Sequence, residues 1–298
     1  MTETNIEWTD FTDNPLKFRR KIDGKIVWAC QKVSSGCKNC YAEALARRYG
    51  RGGPFDAATM AGVEPSLDQK SLRYLLNSKK ISGKRIFIGD MTDIFGEWVS
   101  DEILDQLFAV FALRSDVTFQ ILTKRAARMH EWTNRTWDVP RVLNALGHLP
   151  RRYRRDNIHQ LIGDRNSTWP LPNVWLGVSV EDQPAADERI PELLRTAAAV
   201  RFLSCEPLLD AIDLERPMPG PDLDQGHGVK ICQPWMIQSG VDWVIVGGES
   251  GPGKRQMNLA WARLIRNQCQ YAEVPFLFKQ VDKVQPIPDD LMIREFPV

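Results

Sequence analysis

Short, continuous apolar runs recur along this chain, and each gives way to a polar turn and then to an amphipathic stretch. Arg85-Ile86-Phe87-Ile88-Gly89-Asp90 is followed by a helical pattern at Ser100–Leu113, with Ser100 as its N-cap and Ile103, Leu104, Leu107, Phe108 and Phe111 on one face. Thr118–Leu122, Val174–Ser179, Val200–Leu203, Trp243–Val246 and Pro275–Phe278 repeat the run. Helical spacing follows near Met129 and Trp132, over Ala185–Thr196 and over Ala260–Ala272. Ile6–Asp10 alternates apolar and polar residues and reads as a short first strand. Strands that are apolar throughout are buried on both faces, and strands separated by helices are parallel. The expected fold is therefore α/β, a partial or complete parallel TIM-like (β/α) barrel, with a doubly wound open sheet as the alternative. The whole chain, 1–298, reads as a single domain, interrupted by irregular insertions near 11–25, 134–172 and 210–240.

In a parallel barrel the chemistry gathers at the C-terminal ends of the strands. Here those ends carry Asp90 and Asp93, Thr123-Lys124-Arg125, Ser179 with Glu181 and Asp182, Ser204-Cys205-Glu206, Gly248-Glu249-Ser250, and Lys279-Gln280. Asp90, Asp93, Glu181, Gly248 and Glu249 are the candidates for holding a cofactor. Cys205 and Glu206 are the catalytic candidates, Cys205 as a hydrogen-atom donor set against a packed thiol.

Three cysteines, Cys30, Cys37 and Cys40, fall within eleven residues, on a loop that runs into a helical pattern at Tyr41–Tyr49. Six cysteines in 298 residues do not make a disulfide scaffold, and a tight trio is a metal or cluster motif. Structural zinc takes four ligands, and the four histidines (His130, His148, His159, His227) show no ligand spacing. Three thiolates on a 4Fe–4S cluster would leave one iron open to a substrate or cofactor. Cys205, Cys232 and Cys269 lie apart from the trio.

Charge narrows the partners. Lys and Arg total 39 against 38 Asp and Glu, so no global basic field announces nucleic acid. Two local clusters stand out: Lys17–Lys21 reads as an exposed hairpin or insertion, and Arg151–Arg155, with Tyr153 and the neighbouring Trp169, keeps a nucleic-acid contact open. The start of the chain has no basic-then-apolar leader and no run is long enough to span a bilayer, so a cytoplasmic protein without membrane contact is expected.

Several motifs together resemble the bacteriophage-associated three-Cys-motif proteins of unknown function, which in turn resemble radical S-adenosylmethionine (radical SAM) enzymes. They are Ile6-Glu7-Trp8-Thr9-Asp10, Cys40-Tyr41-Ala42-Glu43, Met91-Thr92-Asp93-Ile94-Phe95, Leu122-Thr123-Lys124-Arg125, Leu176–Glu181, Phe202–Leu208 and Gly247–Gly251. The resemblance implies a radical SAM-type barrel in which Cys30, Cys37 and Cys40 hold a 4Fe–4S cluster. It further implies that S-adenosylmethionine chelates the open iron and is cleaved reductively to a 5′-deoxyadenosyl radical. An electron donor such as a flavodoxin or ferredoxin is then required, and a partner protein that completes the site is compatible with it. The substrate expected from the phage association and the basic segments is a nucleic acid or nucleotide. The sequence departs from the radical-enzyme pattern in two places: six residues rather than three separate the first two cysteines, and Asn39 stands where an aromatic usually precedes the last. Gly247-Gly248-Glu249 resembles the Gly-Gly-Glu element that binds the methionine amino group. It follows a late strand here, which makes Asp90 the better positional counterpart. A non-catalytic iron–sulfur or zinc protein that binds nucleic acid, and a metal-independent hydrolase using Glu and Asp, are the competing expectations.

Overall fold

The structure is a computed structural model, and it describes residues 1–135, 141, 144, 145, 147–149, 169–216, 236–251 and 253–297. Arg151–Arg155, Cys232, His159, His227 and most of the expected insertions at 134–172 and 210–240 lie outside the described residues.

An eight-stranded sheet organises the chain. Its strands are β1 (Thr2–Glu3), β2 (Phe11–Asp13), β6 (Arg85–Ile88), β7 (Thr118–Thr123), β8 (Val174–Ser179), β9 (Val200–Cys205), β10 (Trp243–Gly247) and β11 (Phe276–Gln280). β1 pairs antiparallel at one edge, and every other neighbour pair is parallel, in unbroken sequence order from β2 to β11. Sequential order excludes the doubly wound alternative, in which the order reverses at a switch point. Intervening helices include α4 (Asp101–Ala112), α5 (Ala126–Thr133), α6 (Gln183–Arg195) and α7 (Leu259–Tyr271). The Ser100 hydroxyl caps α4 by accepting from Ile103 N, as its sequence indicates.

The sheet is curled into a partial barrel wall. On a flat sheet, strands four places apart stand about 19 Å from one another. Yet one indole, Trp8, lies 4.7 Å from the Phe87 ring on β6 and 6.4 Å from the Trp243 ring on β10, centroid to centroid. Phe202, Ile245 and Leu277 complete this inner core. The opposite side chains of the same strands, such as Ile86, Ile121, Leu203 and Val246, join a separate outer core that includes helix residues. Period-two alternation thus serves two apolar faces at once, which is why the strands read as continuous apolar runs.

The first strand differs from expectation. Ile6–Asp10 forms a turn, with Thr9 N donating to Ile6 O, and the parallel strand is Phe11–Asp13. Trp8 mimics a strand residue because it is fully buried, but it is buried as a plug inside the wall and not as a rung of the ladder. The segment read as an insertion near 11–25 is accordingly divided. Its first residues belong to the main sheet, while β3 (Leu16–Arg20) and β4 (Ile26–Val27) form an antiparallel hairpin that β5 (Val63–Leu67) extends to three strands. Helices α1 (Tyr41–Arg48), α2 (Ala57–Ala61) and α3 (Gln69–Asn77) flank it.

Candidate functional site at the mouth of the wall

The cysteine loop, residues 28–40, lies across the C-terminal ends of the parallel strands. After β4 it passes Cys30, makes a single 3₁₀ turn at Ser35–Cys37, and reaches Cys40, the N-cap position of α1. Four strand-end segments hold it.

The first two clamp Cys30. Thr92 Oγ1, beyond β6, donates to Ala29 O at 2.8 Å, and Arg125 Nη2, beyond β7, donates to Gln31 O at 3.1 Å. The carbonyls on either side of Cys30 are therefore fixed by two different strand ends. Arg125 is itself immobilised: Nη1 meets Asp93 Oδ2 at 3.1 Å, Nε meets Glu97 at 2.8 Å, and the guanidinium lies 4.4 Å from the Trp98 ring. Asp93 also accepts from Thr123 Oγ1, Lys124 N and Phe95 N, so both of its oxygens are committed within the protein.

The third anchor is Glu181, beyond β8. This carboxylate has no exposed surface and sits 2.9 Å from both Lys124 Nζ and Arg189 Nη1. Burial alone would raise its pKa. Lys124 and Arg189, with hydrogen bonds from Ser34 and Lys124, outweigh burial and hold it at about 2. Gly36 of the loop rests directly on this pair, because a Cβ there would come within 3.1 Å of the Glu181 carboxyl and of Lys124 Nζ. Next to it, Ser35 Oγ donates to Asp182 at 2.9 Å.

The fourth anchor lies beyond β10. Asn39 Nδ2 donates to Glu249 Oε2 and to Gly253 O, each at 2.9 Å, and Arg255 bridges Glu249 to Ser35 O, the latter at 3.0 Å. Asn39 thus has a structural use at the position where an aromatic was expected. Gly248 has one too: a Cβ there would lie 2.0 Å from Val281 O, so β10 and the segment after β11 approach as only glycine permits.

Below the loop, the inner face of the wall turns polar. Lys279 Nζ, on β11, contacts Glu206 Oε1 at 2.9 Å, and Ser204 Oγ contacts the other Glu206 oxygen at 3.2 Å. Asp90 accepts from Asn14 Nδ2 at 2.5 Å; burial raises its pKa, with the nearby Asp13 adding to the effect, against the Asn14 hydrogen bond and Lys17. Tyr41 donates to the Asp90 carbonyl at 2.5 Å, which brings the start of α1 over the same patch.

Cys205 stands apart. It alternates with Ser204, faces the helix layer, and is wholly buried in the outer core with Cys269; burial pushes its thiol well above the ordinary range. The structure brings Ser204 and Glu206, not Cys205, to the inner face of the mouth.

The three loop cysteines are free thiols, each partly exposed. Cys30 and Cys40 pack with Trp28 against an apolar patch formed by Ala42, Ala46, Phe55 and Met91. Burial, reinforced by Asp93 and Cys40 against the pull of Arg125, pushes the Cys30 thiol up to about 12. Among the described residues no three Cys, His, Asp or Glu side chains are already gathered around a metal position. The donor chemistry nevertheless suits a thiolate-bound group, because three free thiols share one clamped loop and Cys30 and Cys40 pack on the same apolar patch.

Arg189 was not singled out from the sequence, although a signal existed. It is an arginine on the apolar face of α6, among Ala185, Ala186, Ile190 and Leu193, and a cation in that position implies a buried acid. A cavity of about 720 Å³ opens at the other end of the sheet, beside Val200, Gly240, Asp242, Tyr271 and Pro275, and includes none of the strand-end residues.

These features define an α/β protein with a curled, mostly parallel sheet whose strand-end loops carry a three-cysteine segment. The chain belongs to the DUF5131 family, described as a protein of unknown function, whose family model matches residues 3–289. No curated protein and no solved structure matches it. Among the described residues no helix is long and apolar enough to cross a membrane.

Proposed function

We propose that the protein is an iron–sulfur enzyme of the radical SAM type, with Cys30, Cys37 and Cys40 as ligands of a 4Fe–4S cluster. The observation that carries this reading is the fixing of the cysteine loop by four strand ends above an inner patch of Asp90, Ser204, Glu206 and Lys279. When bound, the cluster would supply one-electron chemistry and an open iron for S-adenosylmethionine. The chain's own residues divide into two groups. Asp93, Glu181 and Glu249 orient the loop and have their oxygens engaged there, so their part in cofactor binding is indirect. The Asp90 and Glu206 carboxylates make no hydrogen bond with the loop and are the acids assigned to meet the cofactor or substrate, Glu206 held in place by Lys279 and Ser204 and Asp90 by Asn14. On this reading the wall is a partial radical SAM-type barrel, the protein is cytoplasmic with the phage association of the three-Cys-motif proteins, and a small electron-transfer protein serves as reductant.

Anaerobic purification followed by iron and sulfide analysis, then reduction with S-adenosylmethionine present, tests it. About four irons per chain and formation of 5′-deoxyadenosine are expected, both lost in Cys37→Ala and both retained in Cys205→Ser. Stoichiometric zinc without cofactor cleavage would sink the proposal in favour of a second reading, a non-catalytic metal protein whose thiolates fix the loop. The engagement of Asp93, Glu181 and Glu249 in docking is what favours that alternative.

A further inference from the structure

The near-neutral total charge hides a polar distribution. Residues 17–51 contain ten Lys and Arg against two Asp and Glu, and the rest of the chain contains 29 against 36. This one cationic segment comprises the β3–β4 hairpin, the cysteine loop and α1, which the fold places side by side. Trp28 joins them. Lys17 Nζ from the hairpin lies 6.0 Å from its ring, the Arg51 guanidinium from beyond α1 lies 5.9 Å from it, and Trp28 N donates to Arg51 O at 2.7 Å. Trp28 in turn packs against the same apolar patch as Cys30 and Cys40, so the cationic face and the thiols are continuous. Among the described residues no carboxylate lies within ion-pair distance of Lys17, Arg48 or Arg51. Tyr49, the C-cap of α1, is 60% exposed with its ring 6.0 Å from the Arg48 guanidinium, and Tyr41, at the start of the same helix, is 48% exposed.

We propose that this face binds a single-stranded nucleic acid, its cations on the phosphates and its exposed rings under the bases, and leads the strand to the mouth. Cations interleaved with exposed aromatic rings are the recognition chemistry of unpaired strands, whose bases are free to stack, whereas a duplex or a lipid headgroup offers phosphate without accessible base faces. The proposal deepens the functional reading by naming the substrate class, and it rests on that reading only for where the strand leads; binding itself requires no cofactor cleavage.

The test is fluorescence anisotropy of labelled 20-nucleotide single-stranded DNA and RNA with the full chain as isolated, across a range of salt. Duplex DNA, a free mononucleotide and anionic vesicles serve as comparison arms. Single strands of DNA, RNA or both are expected to bind best, with affinity falling as salt rises. The combined variant Lys17→Gln, Arg48→Gln, Arg51→Gln should weaken binding at least tenfold and reduce the salt slope by about 2, at roughly 0.7 for each phosphate left without its cation. Tyr49→Ala should weaken binding with the salt slope unchanged. Arg263→Gln with Arg266→Gln, on α7, is the charge-removal control outside this segment, and a thermal melt checks that each variant is folded. No binding, equal loss in the α7 control, or preference for duplex or vesicles would overturn the proposal. Failure to cleave S-adenosylmethionine with strand binding intact would overturn only the enzymatic reading.

Discussion

Glu181 and Asn39 are the residues on which the mouth depends most directly. A carboxylate held at about 2 when folded and near 4.5 when unfolded contributes stability that is complete above pH 4.5 and is lost as pH falls towards 2. Removing its charge leaves Lys124 and Arg189 without their shared acid. Glu181→Gln should lower unfolding free energy at pH 7 by about 3 kcal/mol and flatten its pH dependence between pH 5 and 3, measured by urea denaturation at each pH. Asn39→Ala removes two 2.9 Å hydrogen bonds that join residues more than 200 positions apart, and should cost about 1–2 kcal/mol in the same assay. The sequence could present both residues but not their roles. Glu181 was legible as a strand-end acid, while its buried partner Arg189 becomes meaningful only once α6 is laid against the wall. Asn39 reads as a departure from a motif until Glu249 is brought to it.

Among elements, the cysteine loop has little regular structure of its own and borrows its shape from the strand ends. Arg125→Lys would keep the charge but lose the planar fork that reaches Asp93, Glu97 and the Gln31 carbonyl together. Gly36→Ala would press a methyl group onto Glu181 and Lys124, at a cost of about 1 kcal/mol. Both should release the loop without unfolding the sheet, giving several-fold faster tryptic cleavage after Lys32 and Lys38 at an almost unchanged melting temperature. Helices α1, α4, α5, α6 and α7 and the six later parallel strands were readable because their apolar periodicity is local, whereas α2 and α3, short helices beside the small sheet, were not read. The first strand was not, because alternation over Ile6–Asp10 fits a turn that buries one indole as well as it fits a strand. The docking function of the strand-end acids was equally hidden, since polar groups at strand ends look alike whether they await a ligand or hold a loop.

At the scale of the molecule, the inner core converges on Trp8, whose indole touches aromatic rings from β6, β9 and β10. Trp8→Ala should empty the wall and cost about 3–5 kcal/mol, read as a lowered urea midpoint with the far-ultraviolet dichroism of the native helices retained below it. The same core is closed from the other end of the chain. Phe278 N donates to Ile293 O and Glu295 N to Phe276 O, Phe296 lies 5.2 Å from the Trp243 ring, and Arg85 lies 4.0 Å from the Phe296 ring. Trp8 therefore leaves the ribosome long before its neighbours Phe202 and Trp243, and longer still before Phe296 can cover them. Translation proceeds at about 5–20 residues per second, so the N-terminal indole waits on the order of ten seconds or more for its packing partners. During that interval the nascent chain presents the apolar surface that the finished wall encloses, the kind of surface through which incomplete chains associate.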